Sequence, residues 1–93
     1  MPVRTDFRHL RIGGLYRVAA PFTDFDGERH EPGETWLFRG HSFLPYDDGL
    51  SLFVLLDGRE RQIRLRWLPD DQAEIIDNLR DYVHPAEDGP RAA

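Results

Sequence analysis

Between residues 35 and 67 apolar and polar side chains alternate with a two-residue period, and two turn signals cut that stretch into three strands. Residues 35–43 put Trp36, Phe38 and Gly40 on one face and Leu37, Arg39 and His41 on the other, the pattern of a half-buried strand. Residues 50–56 are apolar on both faces apart from Ser51, which marks a central strand. Asp57-Gly58 then supplies the positive backbone angles of a two-residue hairpin turn. On the returning strand Ile63, Leu65 and Trp67 point one way and Gln62, Arg64 and Arg66 the other. Residues 45–49, Pro-Tyr-Asp-Asp-Gly, make the first turn of this meander.

The flanks use other periods. Asp6 as an N-cap, Phe7 and Leu10 as apolar contacts, and Gly13-Gly14 beyond predict one helical turn plugging a core edge. A short strand over residues 15–19 buries Tyr16 and Val18 on a shared face. Turn formers crowd residues 21–33, which read as a long loop or irregular hairpin carrying Phe22 and Phe25. Pro69 suits a first helical position, and Ile75, Ile76, Leu79, Tyr82 and Val83 define one packing stripe of a single helix to about Val83. These elements predict one mainly β domain over residues 1–83. It is either a small barrel or a curled antiparallel meander, closed by one C-terminal helix and followed by a flexible tail over 84–93.

Composition narrows the class. A chain of 93 residues carries one core, and 40% apolar with 31% charged residues is a globular balance. The absence of cysteine removes disulfides, thiol nucleophiles and thiolate metal sites and fits a reducing compartment, so a cytoplasmic location is expected. No signal run or membrane-spanning stretch is present, and no membrane partner is expected. All 12 basic residues are arginine, as a GC-rich bacterial genome would give, and the net charge of −5 argues against nucleic acid as partner.

Order and spacing over residues 15–69 resemble the Src-homology-3-like small barrels, where a long hairpin follows the first strand and a Gly-acidic pair, here Gly33-Glu34, opens the second. The terminal helix departs from that pattern. Residues 43–50 and 63–67, with Gln72, also resemble a family of uncharacterised bacterial domains; that resemblance spans nearly the whole chain and implies domain boundaries, not an activity.

No nucleophile with an adjacent base and no phosphate-binding loop is present, so catalytic residues, cofactors and metals are not expected. The leading candidate site is acidic and aromatic: Phe22, Asp24, Phe25 and Asp26, with Glu28, in one loop and Tyr46, Asp47 and Asp48 in the other. The small-barrel resemblance implies that these loops flank a peptide groove, which would make the protein a non-enzymatic module for a protein or peptide partner, basic in character. The competing reading makes the acids turn formers and the aromatics core.

Three further constellations compete with it. Asp24, Asp26, His30 and Glu34 offer oxygen and imidazole ligands for a cation, which would suit a small metal-assisted hydrolase, against the reading of a solvated turn. Arg64 and Arg66, joined by Gln62 and Arg39, form a strip that grips phosphate or, more simply, pairs with acids of the helix. Asp70, Asp71, Glu74, Asp77 and Asp81 make the helix an acidic face, as on an inhibitor or immunity-type protein. The histidines His9, His30, His41 and His84 are scattered and expected at the surface, with a carboxylate such as Glu34 or Asp47 as a partner for His41.

Overall fold

The computed structural model describes residues 5–86. The meander forms as the alternation requires: β4 (Thr35–Leu44), β5 (Gly49–Leu56) and β6 (Arg59–Arg66) pair antiparallel in sequence order. Asp57 (φ 54°) and Gly58 (φ 79°) make the tight β5–β6 turn, two successive positive φ values that suit the twist of the strands. On the other side of β4 lies β1 (Leu15–Val18), and β1 pairs in turn with β7 (Val83–Pro85), giving the sheet order β6-β5-β4-β1-β7. Residues 21–33 form a small separate hairpin of β2 (Phe22–Thr23) and β3 (Arg29–His30). The protein is a curled antiparallel meander rather than a closed barrel. Its hairpin reaches the free edge of β6 through one backbone bond, Phe25 N–H donating to Arg64 C=O at 2.7 Å.

One face of this sheet holds the core. Tyr16, Val18, Trp36, Phe38, Leu50, Leu52, Val54, Ile63 and Leu65 are buried there and meet Leu10, Phe22, Ile76, Leu79 and Val83 from the covering segments.

A bulge re-aims the end of β4. Phe38 pairs with Val54, but Gly40 pairs with Phe53, so Arg39 is left between them, and Gly40 takes φ 125°, open to a residue without a Cβ. Past this slip every side chain changes face. His41 lies opposite Leu52 at the core rim, its ring 4.7 Å from Phe7, and its Nδ1 bonds Thr5 C=O at 3.0 Å rather than a carboxylate. Leu44 moves to the outer face.

Three expectations are corrected. The segment before β1 is not helical: Phe7 and Leu10 exchange backbone hydrogen bonds across Arg8 (φ 52°), and Asp6 accepts from Ile12 N–H at 2.8 Å instead of capping a helix. Leu10 still plugs the core, fully buried. The terminal helix is two short ones, α1 (Ala73–Asp77) and α2 (Leu79–Tyr82), split at Asn78, whose side-chain amide donates to Glu74 C=O and competes with the helical ladder. The break lets Ile76 and Leu79 both reach the core before the chain extends into β7. Finally, His84 and Pro85 belong to β7 and Ala86 is buried, so order continues past residue 83; the rest of the expected tail, 87–93, lies outside the described residues. Among the described residues no helix is long and apolar enough to cross a membrane.

Candidate functional site

A cleft of about 480 Å³ opens on the outer face of β5 and β6. Its floor follows from strand register, since Ser51 stands opposite Arg64 and Gly49 opposite Arg66, with Gln62 Nε2 donating to Ser51 Oγ at 2.8 Å. One rim is the β2–β3 loop carrying Phe25. The other is the 3-10 turn Pro45–Asp47, where Asp47 lines the opening, and Leu44 joins the lining because of the bulge.

Charge in the cleft is basic below and acidic at the edges. The guanidinium carbons of Arg64 and Arg66 both lie 5.6 Å from the centre of the Phe25 ring, within cation–π range. Arg64 Nη1 is 3.1 Å from Asp26 Oδ1. Arg66 is less well matched: Asp71 Oδ2 is 3.9 Å from its Nε, and that buried nitrogen makes no hydrogen bond among the described residues. Its backbone is fixed by Gln72, whose Oε1 accepts from Arg66 N–H at 2.9 Å while Gln72 N–H donates to Arg66 C=O at 3.0 Å.

The acidic and aromatic candidate set is thus divided. Phe25, 42% exposed, and Asp47 meet across the cleft, and Asp26 stands beside it. Tyr46 is fully exposed on the same turn but does not line the opening. Asp48 is a turn residue at φ 52°, its carbonyl accepting from Trp67 N–H at 2.8 Å. Phe22 and Asp24 are not surface residues at all: both are 4% exposed. The hairpin period turns Phe22 and His30 inward opposite one another, and their rings stack at 4.7 Å. Arg64 and Arg66 belong to this same site, whereas Arg39 sits at the bulge outside it.

Asp24 instead anchors a buried network. Its Oδ1 accepts from Asp26 N–H (3.0 Å) and Glu28 N–H (2.9 Å), while its Oδ2 meets His30 Nε2 at 2.9 Å. His30 Nδ1 meets Glu34 Oε2 at 2.8 Å, and that oxygen also accepts from Trp36 Nε1 at 3.2 Å. With a carboxylate at each ring nitrogen, only the imidazolium satisfies both. Burial alone would pull His30 down, but hydrogen bonds to Asp24 and Glu34 and their charges outweigh it and hold His30 above 6.5. So Asp24, His30 and Glu34 are brought together as the sequence suggests, contrary to a surface histidine, yet they are engaged with each other, and Asp26 turns away to Arg64. Among the described residues no group of three or more acids and histidines is arranged to hold a metal ion.

The acidic helix face is also partly engaged. Glu74 accepts from the Tyr82 hydroxyl at 2.7 Å, Asp77 from Trp67 Nε1 at 3.0 Å, and Asp71 lies near Arg66.

No protein-family model matches the sequence, and no curated protein matches it. Among solved structures, an integron cassette protein from the mobile metagenome of Vibrio cholerae is 36% identical and superposes with a TM-score of 0.87. The match covers 89% of this chain and 92% of that one. Identity at that level over nearly the full length of both is more than a shared fold, and the chain belongs to the same family as that integron cassette protein.

Proposed function

We propose that the protein is a small non-enzymatic module that binds another protein, and that the cleft between Phe25 and Asp47 receives an extended segment of that partner. The observation carrying this reading is the cleft itself, about 480 Å³, with a half-exposed aromatic on one wall and hydrogen-bonding side chains along its floor. In the Src-homology-3-like resemblance the loops after the first strand and within the meander flank a peptide groove, and the corresponding loops flank this cleft. The rival hydrolase reading needs Asp24 and His30 as open ligands, whereas Asp24 accepts three hydrogen bonds and each ring nitrogen of His30 faces a carboxylate. Absence of cysteine supports action in the cytoplasm.

A displayed library of random dodecapeptides, selected on the protein, tests the reading. Selected peptides should compete for one site and lose about tenfold in affinity on Phe25→Ala, the usual scale for an aromatic anchor. The Phe25 backbone bond to Arg64 survives that change, so the fold should persist. Peptides that bind equally well without the ring would refute the cleft as the site.

A further inference from the structure

We infer that the partner segment carries a carboxylate, aspartate or glutamate, and that Arg66 holds it. This rests on the cleft being the binding site, and it reverses the basic partner that the acid-rich loops suggest. Two acids of the β2–β3 loop are already engaged, Asp24 with His30 and Asp26 with Arg64, which leaves Asp47 as the acid that lines the cleft. Arg66 is the less compensated of the two arginines in the cleft. Its Nε stands 3.9 Å from the nearest carboxylate, a loose pair, and its side chain is 42% exposed and lines the opening. Guanidinium is a rigid planar fork, suited to a carboxylate in two-point contact. Packing on Phe25 and the backbone lock by Gln72 restrict that fork before any ligand arrives.

Surroundings favour a single carboxylate over a polyphosphate chain. Asp47 lines the same opening, while Asp26 and Asp71 flank the two arginines, so a polyanion would run past three acids to reach one under-paired cation. A peptide carboxylate needs only the space over Arg66, with Ser51 and Gln62 left for backbone amides.

The peptides selected above decide the matter by isothermal titration. Each Asp or Glu is replaced by Asn or Gln in turn, and each peptide is measured on the wild type, on Arg66→Gln and on Arg66→Lys, with oligothymidylate as a competing polyanion. One acid-to-amide change should weaken binding to the wild type about tenfold and to Arg66→Gln by less than about twofold, the mark of a direct pair. Arg66→Lys, which keeps charge but loses the fork, should fall between. Peptides that need Phe25 but tolerate loss of every acid would overturn the inference while leaving the cleft standing. Peptides indifferent to Phe25 would remove both. Displacement by oligothymidylate at lower concentration than the acidic peptide would also overturn it, in favour of phosphate.

Discussion

Replacing Asp24 by alanine should be among the most damaging single changes in the hairpin, although the residue looks like one more loop acid. The carboxylate accepts three hydrogen bonds, one of them from a histidine that its neighbours hold charged. Removing one partner of a buried ion pair costs about 3–5 kcal/mol. Because His30 keeps Glu34, the lower end, about 3 kcal/mol, is expected. That is a large share of the roughly 5–14 kcal/mol that a domain of this size has in total. Asp24→Asn separates the contributions. Its Oδ1 still serves the two loop amides, and its NH₂ can donate to a neutral His30, so the cost falls to about 1–2 kcal/mol and the charge on the ring is lost. The sign with pH follows. His30 has its folded pKa raised, so its contribution is complete below 6.5 and declines as pH rises through the folded value. His9, pushed below 6.5 chiefly by burial, acts oppositely, with stability lost as pH falls below 6.5. Urea unfolding of wild type and Asp24→Asn from about pH 6 to about pH 9 isolates His30, since His9 cancels in the difference. The gap between them should close as pH rises. A gap that stays constant, or an Asp24→Ala penalty below about 1 kcal/mol, would refute the charged network.

Phe38→Ala empties the centre of β4, where the ring is completely buried, and should cost about 3–5 kcal/mol by urea denaturation. Gly58→Ala meets nothing within 4 Å, so only the strain of a φ of +79° remains, and a loss of about 1–2 kcal/mol with an unchanged denaturant slope is expected.

The meander was legible because its signals are local. Alternation at Ile63 and Leu65, the Asp57-Gly58 turn and the apolar run of β5 all act within a few residues, and all recur in the structure. Less visible were features decided by distant chain. In residues 35–44 only the lone Gly40 hints at a slip at Arg39, and that slip sends His41 inward and Leu44 outward. Asp6 satisfies N-cap chemistry equally well by closing a loop onto Ile12, so its preference could not choose between the two. The site was divided for the same reason. Phe25-Asp26 and Arg64-Arg66 were both apparent as candidates, but their meeting spans 38 residues and depends on the hairpin reaching the β6 edge.

Asp24 links the buried network to the cleft. One oxygen holds His30 in the interior, and the other ties down the N–H groups of Asp26 and Glu28 on either side of Gly27. Residues 24–28 are therefore shaped from beneath, by a carboxylate that never touches the cleft, and Phe25 and Asp26 inherit their positions over Arg64 and Arg66. A loop of this length without such an anchor would have to be ordered by its ligand, at a conformational cost of about 1–2 kcal/mol per residue fixed. Anchored, the wall of the cleft is in place before binding, and that is the physical reason a hairpin of two-residue strands can carry a recognition surface.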